Sequence, residues 1–208
     1  MVQDNSNRAN NKSTNAPTHR KTRKKPKKIT ESYLHNSGLF YLERYSSSVE
    51  NFRSVMMRKI QRSCREHTEQ KIGDCQNQLN DLIEKFIRVG LLDDGTYTRS
   101  IINAKRRQGK SVRAIQTYLR SKGVSSDIIE QMLADYSDDH NKTAAEIEFE
   151  SALIFARKKR LGPYRTSEDF DTQKELARLA RAGYSYDTAR RVLENDLSED
   201  DLLSIGRL

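Results

Sequence analysis

The chain has 208 residues, 35% hydrophobic and 32% charged, with a formal net charge of +9. So modest an apolar fraction supplies only a modest core, which suits an elongated array better than a compact sphere. No apolar run approaches the roughly 20 residues that span a bilayer, and the N-terminus has no apolar signal region, so a soluble cytoplasmic protein without membrane partner is expected.

Residues 1–28 hold nine Lys/Arg and one Asp, +8 in all, which leaves +1 for the other 180 residues. With Asn, Ser, Thr and Pro between the charges, this stretch cannot offset its ordering entropy, and a disordered basic tail is expected over 1–29. Arg20, Lys21, Arg23, Lys24, Lys25, Lys27 and Lys28 form its basic run. That run serves either as a solubilising tail or as a nonspecific contact to phosphate.

A first helical unit is expected over 30–90. Its first helix, about 32–45, carries Leu34, Leu39, Tyr41 and Leu42; Ser46 to Ser48 break it and cap a second helix with Val49, Phe52, Val55, Met56 and Ile60 at helical spacing. A third, about 74–89, has Leu79, Leu82, Ile83, Phe86 and Ile87 as its apolar stripe, and Gly90 is its stop, so that Leu91 and Leu92 open the next unit. Cys64 and Cys75 are too few for a disulfide framework and read as free thiols. With His67 they give three zinc ligands at poor spacing and no fourth, so no metal site is expected.

The second unit, 91–137, begins with Asp93 and Asp94 as N-terminal carboxylates on a helix reaching about Gln108, with Tyr97, Ile101 and Ala104 on its buried face. Gly109 breaks it. Ser111 caps a helix burying Val112, Ile115, Tyr118 and Leu119, and Ser125 or Ser126 starts a third with Ile128, Ile129, Met132 and Leu133 inward. From Gly95 to Gly123 the chain holds Arg99, Lys105, Arg106, Arg107, Lys110, Arg113, Arg120 and Lys122 and not one Asp or Glu. The following stretch to Glu150 reverses the sign, with eight carboxylates against Lys142 alone. Segregation on this scale marks the eight basic residues as a docking surface for a partner or for DNA.

The third unit, 138–197, has a long helix from about Thr143 to Arg160, whose last turn carries Arg157, Lys158, Lys159 and Arg160, favourable at a helix C-terminus and within reach of phosphate. Gly162 and Pro163 interrupt it, helices follow at about 168–182 and 186–195, and residues 198–208 form an acidic tail. At an offset of 60, Leu119, Gly123, Asp127 and Met132-Leu133 match Leu179, Gly183, Asp187 and Val192-Leu193. A degenerate copy places Phe52, Met56 and Lys59 against Ile115, Leu119 and Lys122 at an offset of 63. The fold class is therefore all-α, an elongated, curved array of tandem three-helix repeats, an architecture that favours binding over catalysis.

Gly109-Lys110-Ser111 looks like the end of a phosphate-binding loop, but the glycine that motif needs is replaced by Ala104 in a helical context. His19, His35 and His140 are scattered, and no nucleophile and base recur together. Neither an enzyme nor a bound cofactor is expected.

The strongest stretch, Gly90 to Tyr97, then Arg106 to Ser111, then Ile115, Leu119 and Lys122-Gly123-Val124, resembles the RecX regulators of the RecA recombinase, and the resemblance extends over about 34–195. It implies a curved helical array that binds the groove of a RecA filament on DNA and restrains it, and so bears on homologous recombination, DNA repair and the SOS response. It implies nothing for the basic tail. RecA and nonspecifically held DNA are the expected partners of a monomer. The alternative is a helix-turn-helix-like DNA-binding protein acting without a recombinase, in which 126–135 would be the reading helix. That helix carries Asp127, Glu130 and Asp135 and no Arg or Lys, which is unfavourable beside phosphates.

Overall fold

A computed structural model describes residues 25–167 and 169–194, which form nine α-helices and no strand. In chain order they are α1 (Glu31–Leu42), α2 (Val49–Glu66), α3 (Ile72–Arg88), α4 (Asp94–Arg107), α5 (Val112–Ser121), α6 (Ser126–Asp139), α7 (Ala144–Lys159), α8 (Thr172–Arg181) and α9 (Tyr186–Leu193), with a single 3-10 turn at Gly162–Tyr164.

Three separate cores form, one for each successive trio of helices. Leu34, Phe52, Met56, Ile60, Leu79, Ile83 and Phe86 fill the first, Tyr97, Ile102, Ile115, Leu119, Val124 and Ile129 the second, and Ala152, Leu153, Ala156, Leu179, Tyr184 and Val192 the third. Of the apolar positions matched by the repeat offsets, Phe52, Met56, Ile115, Leu119 and Leu179 are all fully buried, whereas Met132 and Leu133 are only partly covered and their counterparts Val192 and Leu193 are buried. Among the described residues no hydrogen bond or ion pair joins the first trio to the third, so each unit leans only on the next.

The expected apolar faces need local correction. On α4 the helix is rotated so that Ile102, with Thr98 and Arg106, is buried, while Ile101 and Ala104 are only partly covered. Ile87 and Leu91 remain exposed, and Leu92 completes the first core instead of opening the second. Gly38 explains the close approach of α1: a Cβ there would meet the Phe86 ring at 2.8 Å and the Phe52 ring at 3.0 Å. Residues 25–29, expected in the tail, lie against the α2–α3 turn. Gln70 accepts from Ile29 N (2.9 Å) and donates to Ile29 O (2.8 Å), Ser63 donates to Lys27 O (2.8 Å), and Ile29 is buried. His67 Nε2 faces Pro26 O at 2.9 Å, and the free thiols of Cys64 and Cys75 face one another across α2 and α3 at 4.0 Å.

One turn ends every helix from α3 to α8. The N–H just after a left-handed residue donates five residues back, as from Leu91 to Phe86 O and from Val124 to Leu119 O; the left-handed residues are Gly90, Gly109, Gly123, Asn141, Arg160 and Gly183. These turns then serve as sockets. A Cβ on Gly109 would sit 2.7 Å from Phe155 N of α7, and one on Gly183 would sit 2.5 Å from Ser111 Oγ. Glycine at 109 thus lets two backbones touch and has no need of a phosphate.

The joints between units repeat one device. Ser48, the N-cap of α2, accepts from Asn51 N and donates to Lys122 O at the end of α5. Ser111, the N-cap of α5, accepts from Ala114 N and donates to Ala182 O at the end of α8 at 2.7 Å. The first amide of each capped helix meets a carboxylate of the following unit: Val49 N donates to Asp94 (2.8 Å), and Val112 N to Glu148 (3.0 Å). The second helices α8, α5 and α2 therefore abut end to end, C-terminus against N-terminus, which aligns their dipoles favourably. Burial raises the Asp94 carboxyl above its ordinary range against the lowering effect of the Val49 amide. Asp93, by contrast, is a simple cap: the Thr96 hydroxyl and amide, with Gly95 N, hold its carboxyl below that range.

Two predictions follow from these contacts. Gly90 and Gly123 share the left-handed turn, yet a Cβ meets nothing within 4 Å at Gly90, whereas at Gly123 it meets Glu50 Cβ at 2.4 Å. Gly90→Ala should therefore cost about 1 kcal/mol, and Gly123→Ala measurably more in the same denaturant titration; equal costs would remove Glu50 from the joint. Glu148→Ala would strand the buried Arg106 and should destabilise by roughly 3 kcal/mol or more, with Glu148→Gln costing less because it still accepts from Val112 N. Thermal unfolding of the two variants decides this.

Candidate partner-binding surface

The eight basic residues of the second unit divide by what surrounds them. Arg106 is not a surface residue at all. It is 4% exposed, and its Nη1 donates to Glu148 at 2.6 Å and to Ser151 Oγ at 3.2 Å, so it fastens α4 to α7. Arg99 lies between Asp135 (3.3 Å) and Asp139 (3.7 Å) and fastens α4 to α6. The face that Arg99 and Arg106 share by their spacing is thus occupied by acids of α6 and α7.

Lys105 and Lys122 are drawn to one ring: their Nζ atoms lie 4.2 and 5.7 Å from the centroid of Tyr118. Lys122 Nζ also reaches Asn51 Oδ1 at 3.4 Å, across the joint to the first unit. The remaining four, Arg107, Lys110, Arg113 and Arg120, are exposed and form no ion pair among the described residues. They occupy the α4–α5 turn and the outer side of α5.

Tertiary packing extends this group beyond the second unit. Lys158, in the last turn of α7, donates to Gln108 O at 3.1 Å, which sets the basic end of α7 beside the α4–α5 turn. Gly183 packs against Ser111 and Arg113, which brings the last turn of α8, with Arg178 and Arg181, next to the start of α5. At the other end of α5 the joint leads into α2, whose Arg58, Arg62 and Arg65 are exposed. The end-to-end order α8, α5, α2 therefore carries exposed arginines along its whole course, none of them ion-paired among the described residues. Of this series only Arg113 and Arg120 were expected as site residues. Residues 51–65 of α2 are also free of Asp and Glu and hold Arg53, Arg58, Lys59, Arg62 and Arg65, whereas the arginines of α8 lie near Glu175; no sequence spacing shows that these helices continue α5.

The acids went elsewhere. Asp127, Glu130 and Asp138 are exposed on α6, and Asp135 and Asp139 are engaged by Arg99, so the sequence polarity becomes a division between adjacent helices. In the tail, Lys25 pairs with Glu66 (3.0 Å) and Lys28 with Glu69 (2.5 Å), while Lys27 holds Ser63 through its carbonyl. Arg20, Lys21, Arg23 and Lys24, like the acidic segment 198–208, lie outside the described residues. No group of three or more metal-ligating side chains, and no helix long and apolar enough to cross a membrane, occurs among the described residues.

This arrangement of helices has counterparts. A family profile described as the RecX second three-helix domain matches residues 93–133, the stretch from the Asp93 cap through α6. The regulatory protein RecX of Myxococcus xanthus is 34% identical over 176 residues, covering 83% of this chain and 90% of its own. That of Agrobacterium fabrum is 30% identical over 178 residues, with 83% and 89% covered. The crystal structure of RecX from Lactobacillus salivarius superposes with a TM-score of 0.57 at 19% identity, over 86% of this chain and 97% of that one, and shares its fold. With relatives this similar over nearly their whole length, the chain belongs to the RecX family of regulatory proteins.

Proposed function

We infer that this protein is a non-enzymatic, cytoplasmic modulator of the RecA recombinase, acting as a monomer that binds the recombinase filament on DNA and restrains its ATP hydrolysis and strand exchange. The observation that carries this reading is the series of exposed arginines along α8, α5 and α2, none of them ion-paired among the described residues. A nucleoprotein filament is a long polyanionic partner, and an array of end-to-end helices meets it over several units without reading base edges. Guanidinium groups suit both of its components, since they bind phosphate and carboxylate with the same two-point geometry. Family membership supplies the regulatory role. The acids exposed on α6 argue against a helix-turn-helix reading, because they would face DNA phosphates.

Reversing Lys110, Arg113 and Arg120 to Glu should weaken binding to preassembled filaments on the order of 10-fold or more and lower the salt dependence of binding by about 3 contacts. Helical content should stay unchanged. Reversing Arg178 and Arg181, or Arg58 and Arg62, should weaken binding in the same direction. Wild-type affinity in all three folded variants, with filament mass and ATP hydrolysis followed together, would sink the proposal.

The tail is separable. A deletion that stops at residue 24 spares the contacts of Ile29 and Lys27 with Gln70 and Ser63. It should reduce binding to bare random-sequence DNA more than it reduces inhibition of the recombinase. Loss of inhibition in the folded truncation would make the tail the effector.

A further inference from the structure

A cleft of about 320 Å³ opens between α4, α6 and α7, at the joint of the second and third units. Asn103, Arg106, Arg107, His140, Lys142 and Glu150 supply its polar lining. Its lining includes a buried cation, Arg106. All the hydrogen bonds of its guanidinium are made by Nη1, to Glu148, Ser151 and Lys110 O. Nε is buried and has no partner among the described residues.

The Nε–Nη2 edge is the side of a guanidinium that meets an oxyanion by two parallel hydrogen bonds. Here it belongs to a residue that is 4% exposed and held in place by its other nitrogen. An unpaired donor on a buried cation is costly, and an oxyanion in the adjoining cleft would relieve that cost. The charges nearby fit an anion. Glu148 is satisfied by Arg106 and by Val112 N, and Glu150 is held by Lys142 at 2.6 Å, so both carboxylates have cationic or amide partners. Arg107 is the cation left over. His140 is stacked on Tyr136 with ring centroids 4.1 Å apart, and its Nδ1 lies 2.7 Å from Tyr136 O, which fixes the ring at the edge of the cleft.

We propose that this cleft is a phosphate-binding site, in which one phosphate group receives the Nε–Nη2 edge of Arg106 together with Arg107 and the Asn103 amide. A tetrahedral oxyanion offers enough acceptors for three such donors, and the volume admits the group with a small substituent. Because Arg106 joins α4 to α7, occupancy would stiffen the joint between the second and third units. The phosphate comes either from a free ion or small ester, or from a nucleic-acid backbone.

The test reads the Nε–Hε resonances of the arginines in the full-length protein by ¹⁵N NMR, the Arg106 signal being identified by its loss in Arg106→Lys or, if that variant does not fold, by through-bond assignment. Inorganic phosphate, sodium acetate and sodium chloride are titrated at matched ionic strength, and a short single-stranded oligonucleotide separately. Phosphate should shift the Arg106 signal saturably. Arg107→Gln, on an exposed side chain, should raise the midpoint at least 10-fold. A saturable shift with the oligonucleotide and none with inorganic phosphate would assign the source to a nucleic-acid strand and uphold the phosphate chemistry. A shift that is linear, equal with acetate or chloride, or unchanged in Arg107→Gln would overturn it.

Discussion

The arrangement of this protein depends on what the N-cap serines of α2 and α5 do with both of their hydrogen-bonding functions. Each hydroxyl accepts from an amide of its own helix and donates its proton to the last carbonyls of the corresponding helix in the next unit. A helix end leaves amides or carbonyls unsatisfied, and burying them in a joint would be expensive. Setting one helix's C-terminus on the next helix's N-terminus lets a single hydroxyl serve both. The Asp94 and Glu148 carboxylates complete the same junction by taking the first amide.

Two consequences follow for the surface. The left-handed glycines at the helix ends admit these close approaches, Gly123 against Glu50 and Gly183 against Ser111, where a side chain of their own would collide. Because the helices abut in the order α8, α5, α2, their outward arginines form one course across three units that are far apart in the chain. The same electrostatics remove Arg99 and Arg106 from that course. Arg99, exposed, ties α4 to α6 within the second unit, while the buried Arg106 holds the second unit to the third, where removing Glu148 would leave a desolvated charge.

Tyr184 shows how firmly the second joint is closed. Its buried hydroxyl lies 2.9 Å from Gly109 O and 3.0 Å from Ser151 O and shares its proton between carbonyls of two units. Burial raises its pKa, chiefly by desolvation, so it remains a donor throughout the ordinary pH range. The Arg106 cleft lies beside this closed joint, and there the guanidinium Nε has no partner among the described residues.

The sequence by itself determined the helices, most of their caps and the central apolar residues of the first two cores, because these depend on spacing along one helix and on turn chemistry within a few residues. Ser48, Asp93, Ser111 and Ser125 cap as their positions imply, and Phe52, Met56, Ile115, Leu119 and Leu179 are buried as the offsets require. It also located the concentration of positive charge in the second unit. Only the tertiary structure decided which of those charges face outward. Arg106 and Arg107 are neighbours of one residue type, yet one meets Glu148 and Ser151 of α7 and the other meets solvent. The same holds for the 25–29 segment, whose composition favours disorder until Gln70, Ser63 and a buried place for Ile29 are supplied by α2 and α3. In each case the deciding partner lies tens of residues away, and local spacing carries no record of it.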